Sequence, residues 1–278
     1  MATGQSVPVA IRISHELKRL LPQLRYEPTP KRLRARLGDV LVLDSRRAVV
    51  LWEPERFLPV HAVPEDDVVV RLEPAGAEPG PTPHHPGPPS SPYPFSPHTA
   101  DGEPLTIVVE GTEVPNAAFR LADSDLAGYV AFDTDAFEWT EEDEPVIGHP
   151  RDPYSRIDIR ATGEHIRVTL DGVVLADSTE AVRLFEGRLP PRAYFRREDV
   201  KFERLAPDPL QTICPYKGIA SYWTAPGLGD GRPVAWSYAA EESVPEMAQI
   251  HGRIAFFDER VDVEADGAAV PRPRTAWA

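Results

Sequence analysis

Within the segment 211–226, QTICPYKGIASYWTAP, the single cysteine of the chain, Cys214, is followed three residues later by Lys217 and then by Tyr222-Trp223. A cysteine nucleophile needs its thiolate stabilised by a cation, a helix N-terminus or a histidine. Lys217, across a turn begun by Pro215, is the cation within reach, and no histidine lies inside the motif. The lysine can itself hold a substrate carboxylate or carry a Schiff base. Against these roles, a lone cysteine is among the residue types most often buried as apolar filler. A lysine beside a glycine in a turn ordinarily points at water.

Tyr216, Tyr222, Trp223, Trp236 and Tyr238 fall on two neighbouring segments. On an extended strand Tyr222 and Trp223 face opposite sides, whereas Trp236 and Tyr238 share one. Large rings with a polar handle line small-molecule pockets well, and Arg192 or Lys217 would add charge selectivity. The competing role for such rings in a β domain is core packing. Glu53 and Glu186 each follow an aromatic at the end of comparable segments. Paired with Arg56 and Arg192, they would stand at the lips of two equivalent clefts; the alternative is a pair of exposed strand ends.

Other chemistry is poorly supplied. Asp133 and Asp135 form a D-x-D in FDTDAF, but no Gly-Ser dipeptide and no phosphate-cradling P-loop accompany them, so phosphoryl or nucleotidyl transfer is disfavoured. Residues 133–144 hold seven acids and no base, which suits a solvated loop. His84-His85, His98 and His149 sit in Pro-rich stretches without ligand spacing on a rigid element, so no metal site is expected. One cysteine forms neither an internal disulfide nor a thiolate cluster.

The 278 residues suit two domains, and 41% hydrophobic content supplies real cores. Thirty Lys and Arg against 44 Asp and Glu give a net charge of −14, which argues against a phosphate-backbone binder. No apolar run approaches the roughly 18 residues of a membrane span. The opening MATGQSVPVAIRISHELKRLL lacks the apolar core and cleavage site of a secretory signal, so a cytoplasmic location is expected.

The chain contains itself twice. DVLVLDSRRAVVLWE (39–53) aligns with GVVLADSTEAVRLFE (172–186): Val40, Asp44-Ser45, Leu51 and Glu53 match Val173, Asp177-Ser178, Leu184 and Glu186. PEDDV (64–68) lies over RREDV (196–200), and NAAFRLAD (116–123) over PVAWSYAA (233–240). Matches in one order across separate blocks indicate a duplicated domain. Each copy reads as β: HIRVTLDGVVLADS and RVDVEADGAAV place Asp171-Gly172 and Asp266-Gly267 between alternating segments, a primed-turn hairpin signal. Leu17, Leu20, Leu21 and Leu24 predict a helix behind a Ser14 cap that Pro22 ends or kinks. Ser243 and Glu246 predict a capping box around Pro245 and a second short helix. The expected organisation is a helical extension over 1–30, a first repeat over 31–150 and a second over 151–278, joined through the polar segment 141–156. Residues 74–104, with eleven prolines, form an extended loop in the first repeat, where the second carries CPYKG.

CPYKG…SYW, AWSY, GRIAFF and the upstream DGVVLADS…FE resemble domain of unknown function family 427, to which a nucleotidyltransferase-like label is sometimes attached. LWEPERFLPV and EEDEPVIGHPRDPYSRIDIR resemble its two-copy bacterial members. The resemblance covers roughly 30–270 and implies a β-tent-like fold, related in fold to methionine sulfoxide reductase B and to the ligand-binding domain of cereblon. Many β-tent proteins clamp zinc between two CxxC pairs, which are missing here. Fold kinship transmits no activity.

The expectation is therefore a mostly β protein: two tandem antiparallel β domains of β-tent type with a few short helices. Its first functional candidate is a small-molecule-binding domain, possible enzymatic activity included. The pocket would lie in the second copy around Glu186, Arg192, Tyr216, Lys217, Tyr222, Trp223 and Trp236, the first copy acting as a structural or regulatory partner. Two alternatives stand beside it: a thiol enzyme using Cys214 with Lys217, and an interaction module using the Pro-rich segment as ligand. No cofactor is named by the residues, and neither nucleic acid nor membrane is an expected partner. Oligomeric state is not encoded in any motif.

Overall fold

The computed structural model describes residues 10–76, 94–187, 189–239 and 244–275. After helix α1 (Ile13–Arg19), the first half runs through β1 (Arg25–Pro28), β2 (Leu33–Leu37), β3 (Val40–Ser45), β4 (Val49–Trp52) and β5 (Val60–Pro64). It continues with β6 (Arg71–Pro74), β7 (Gly102–Val109), β8 (Thr112–Leu121), β9 (Tyr129–Phe132), β10 (Glu138–Glu141) and β11 (Glu144–Pro145). The second half opens with β12 (Ile157–Ala161), β13 (Ile166–Leu170), β14 (Val173–Ser178), β15 (Val182–Glu186) and β16 (Arg192–Phe195). Its remaining strands are β17 (Ala206–Cys214), β18 (Gly218–Thr224), β19 (Ala235–Tyr238), β20 (Ile254–Phe256), β21 (Asp262–Ala265) and β22 (Ala268–Val270).

Each half is an antiparallel seven-stranded sheet facing a four-stranded one. The large sheets run β1-β4-β5-β9-β8-β7-β6 and β12-β15-β16-β20-β19-β18-β17, the same order strand for strand. The small sheets, β11-β10-β2-β3 and β14-β13-β21-β22, are equivalent as well. The duplication read from the sequence extends to register. Arg34 pairs with Asp44 as Arg167 pairs with Asp177, and both hairpins carry their irregularity at the same point, after Ala35 and after Val168. Ser45 Oγ donates to Asp67 Oδ2 at 2.7 Å, and Ser178 Oγ to Asp199 Oδ2 at 2.7 Å. The matched pairs DS…D in the sequence thus pin the small sheet to the connection after β5 or β16 in both copies.

Strand periodicity decides which side chains meet. Val130 and Phe132 face the small sheet, where they pack with Leu33, Ala35, Val42 and Leu43; Ile254 and Phe256 do the same with Ile166, Val168 and Leu175. Each fully buried side chain of this size contributes about 1.5–3 kcal/mol. The alternate residues Ala131 and Ala255 face outward, into two further apolar layers on the other side of each large sheet. Asp171-Gly172 and Asp266-Gly267 turn with positive φ at both residues, 50° and 78° then 49° and 79°, the geometry of a type I′ hairpin.

The helices differ from their sequence signals. Ser14 lies inside α1, whose N-cap is Arg12 without a side-chain cap bond, and no residue of α1 is buried. The second short helix is a 3-10 segment, Pro245–Ile250, with N-cap Val244 and again no capping bond; Ser243 lies outside the described residues. Burial of Met247 and Ile250, not capping, fixes it. Residues 77–93 of the Pro-rich segment also lie outside the described residues. Among the described residues, no helix is long and apolar enough to cross a membrane.

Candidate functional site

The two halves differ in how their outer layers are covered. In the first, the connection between β6 and β7 spans 75–101, whereas in the second the equivalent β17–β18 connection is only Pro215-Tyr216-Lys217. Conversely, the β8–β9 connection spans 122–128 and its counterpart between β19 and β20 spans 239–253. Phe95 therefore roofs the first outer layer, and Met247 and Ile250 roof the second.

Lys217, closing the tight turn, is buried (8% exposed) with its ammonium against the Glu186 carboxylate at the end of β15. Nζ also lies 5.6 Å from the centroid of the Tyr238 ring. Burial opposes the charge on Lys217, but the Glu186 carboxylate against it favours the ammonium, which is held well above its ordinary value. Burial raises the phenols around it: Tyr194 to about 12, and Tyr238 well above its ordinary value. Both stay neutral and can donate a hydrogen bond.

The rings form a continuous wall. Trp236 Nε1 donates to the Tyr194 hydroxyl at 3.2 Å, the two rings standing edge to face at 6.3 Å. Trp236 meets Phe257 at 4.6 Å, and Tyr222 stacks on Phe257 at 6.2 Å with an interplanar angle of 15°. Tyr222 also shares a 2.6 Å hydrogen bond with Thr212. Tyr222 and Trp223 do face opposite sides of β18: Trp223 packs in the inner layer, edge to face with Phe202 at 6.1 Å, and is not brought to Lys217. Cys214, half-buried at the end of β17, packs against the apolar outer layer. The Tyr216 hydroxyl faces the inter-repeat segment, accepting from Asp152 N at 2.6 Å and donating to Asp152 O at 3.2 Å. Burial raises this phenol to about 12.

That segment clamps the turn, which its polar, proline-punctuated sequence did not announce. Arg151 Nε donates to Pro215 O at 2.9 Å. Gly148 has φ 68° and packs so closely on β17 that a Cβ there would lie 2.5 Å from Ile213 Cγ2.

The expected pairing of the strand-end glutamates with Arg56 and Arg192 is not formed. Glu53 accepts from His98 Nδ1 at 2.8 Å, Thr99 N at 2.6 Å and Ala100 N at 3.1 Å. Burial alone would raise the Glu53 carboxyl, but His98 and the Thr99 amide keep it below its ordinary value. His98 stacks on Phe119 at 3.7 Å, and Arg56 donates to the carbonyls of Pro94 and Phe95 at 2.9 and 3.1 Å. The first copy's outer site is thus filled by its own chain. Arg192 instead faces Asp258 and Glu259, with Cζ 5.8 Å from the Trp236 centroid. Asp258, Glu259, Tyr194 and Phe257 were not singled out from the sequence. Their available signal was the i, i+2 spacing of Arg192 and Tyr194, and the acid doublet closing RIAFFDE. Asp133 and Asp135 form a local turn, Asp135 N donating to Asp133 Oδ1 at 3.0 Å.

Among the described residues, no group of three or more His, Cys, Asp or Glu comes together as a metal site. A shallow cleft of about 170 Å³ lined by Val173, Glu203, Arg204, Leu205, Pro226 and Leu228 shares no residue with the Lys217 group. No curated protein matches the chain. Residues 158–267, which hold Glu186, Arg192, Cys214, Lys217 and Trp236, match the model of a family described as a domain of unknown function (DUF427), the family that the CPYKG, AWSY and GRIAFF segments resemble.

Proposed function

We propose that the second half binds a small molecule through an anionic group received by Lys217, with Tyr194, Tyr238 and Trp236 as the ring-lined wall. One observation supports this most. The Lys217 ammonium has three donors, yet within the described structure it makes a single hydrogen bond, to Glu186. A buried ion pair is weak evidence of a stabilising role, because desolvation offsets much of its attraction. The first half supplies the contrast: there the equivalent glutamate is satisfied three times over by the chain's own residues 98–100. The small side-chain exposures of Lys217 and Glu186, 10% and 16%, leave the pair at the edge of solvent. Cys214 beside Lys217 keeps a thiol-dependent reaction as the second reading, with Lys217 supplying the cation.

The test is a thermal-shift titration of the full chain with butyrate, benzoate and inorganic phosphate at neutral pH. At least one anion should raise the midpoint in the native protein and not in Lys217→Met. No shift with any of them, or a shift equal in the variant, overturns the proposal. The thiol reading requires loss of a measured turnover on alkylation of Cys214; binding that persists after complete alkylation counts for the first reading.

A further inference from the structure

Resting on the Lys217 anchor, a second polar group on the same outer face says what the rest of the ligand looks like. Arg192 and Glu259 are each 7% exposed, and Arg192 Nη2 donates to Glu259 Oε1 at 2.5 Å. One atom of each lacks a hydrogen-bond partner. Arg192 Nη1 stands 3.2 Å from Asp258 Oδ2 without hydrogen-bond alignment, and Nη1 and Glu259 Oε2 are both buried with no hydrogen-bond partner. Native proteins leave few such atoms, since each costs about 1–3 kcal/mol. Here one is a donor, the other an acceptor, and a 2.5 Å bond joins the residues that carry them.

The chemistry of an occupant follows. A carboxylate would meet repulsion from Asp258 and Glu259, and an ammonium would meet repulsion from Arg192. A neutral group that accepts and donates through adjacent atoms meets neither. The Trp236 indole connects this end to the anchor: Arg192 lies over the ring, and its Nε1 donates to Tyr194, a neighbour of Lys217. Asp258, with a side chain 21% exposed, is the solvent-facing edge of the group, and Thr275 Oγ1 donates to the Glu259 oxygen that Arg192 already uses, at 2.6 Å. Both contacts leave Oε2 unoccupied.

We propose that Arg192 and Glu259 form the distal end of the binding site, and that its ligand carries an anionic head for Lys217 and, across the Trp236 ring, a carboxamide-like group that accepts from Nη1 and donates to Oε2.

The experiment is calorimetric titration of the full chain with succinamate, glutaramate and adipamate, each against butyrate and valerate. In the native protein one carbamoyl chain length should bind at least tenfold more tightly than the monocarboxylates. Glu259→Gln and Arg192→Lys should each erase that ratio, and Lys217→Met should abolish binding of both classes. Monocarboxylate binding that depends on Lys217 while no carbamoyl compound gains over it overturns the distal site and leaves the anchor standing. A gain that survives in Glu259→Gln overturns it too, and this near-isosteric variant keeps the test decisive if Arg192→Lys does not fold. An unmet pair filled only by water appears as the absence of any carbamoyl gain. If no carboxylate binds the native protein, the distal proposal falls, and the anchor falls with it unless phosphate raises the midpoint in a Lys217-dependent way.

Discussion

Glu53 and Glu186 stand at the ends of equivalent strands, and each is met from the equivalent connection by a different residue type: His98 in one half, Lys217 in the other. The backbone position outlived the duplication while the partner changed. The carboxylate therefore anchors whatever lies over the outer sheet face, whether the chain's own segment or, in the second copy, a cation left with free donors.

Removing Lys217 leaves Glu186 without its partner. Lys217→Met is expected to lower unfolding free energy by about 3 kcal/mol, the low end for a broken buried pair because the edge of this one is wetted. Lys217→Met with Glu186→Leu should recover most of that loss, read as the midpoint in urea at constant slope. A double variant no more stable than the single would show that the pair contributes packing and not charge.

Acid should weaken the first half through His61. Its ring is fully buried, tilted at 38° to Trp139 with centroids 5.2 Å apart, with Glu141 Oε1 3.6 Å away and Lys31 paired to the same glutamate. Burial lowers His61 below 6.5, and the opposing pull of Glu141 does not restore it. The unfolded chain then binds the proton more readily than the fold does, so stability is complete above pH 6.5 and declines as pH falls through the lowered value. His61→Phe should flatten part of that slope; His149, also lowered by burial, retains the remainder. Glu141, brought to about 2 by His61 and Lys31 against the opposing effect of burial, acts in a separate window between about pH 4.5 and 2. An unchanged slope in the phenylalanine variant would remove His61 from this account.

Cys214 should react slowly with iodoacetamide in the native protein and fully in denaturant, because the outer apolar layer covers much of its side chain. Mass spectrometry over time measures the two rates. Cys214→Ala should cost about 1 kcal/mol, the ordinary scale for a small buried truncation.

The twin serine–aspartate bonds predict matched losses. Asp67→Ala and Asp199→Ala should each cost about 1–1.5 kcal/mol. Because the two sites lie in separate cores, the double variant should show the sum within about 0.5 kcal/mol. Strong non-additivity in chemical denaturation would mean that the halves unfold as one unit through these contacts.

The sheets were legible because they rest on local signals. Alternation placed Tyr222 and Trp223 on opposite faces, the Asp-Gly pairs located their hairpins, and the internal alignment matched strand to strand. Partners reached over long separations were not legible. Nothing local says that Lys217 chooses Glu186, 31 residues away, or that Arg192 chooses Glu259 across 67. The Arg56 and Arg192 pairings do not form because each guanidinium has other partners, the carbonyls of Pro94 and Phe95 for Arg56 and the Asp258 and Glu259 carboxylates for Arg192. In β structure, the sheet order sets which of these partners come within reach. The α1 cap failed for a related reason: a helix without a buried face follows its chain connections more than its side-chain signals.

The exchange of cover between the halves has a mechanical consequence. A roof tethered at the rim of a sheet and a roof tethered at its middle lift about different axes, so two copies built on one strand plan need not breathe together.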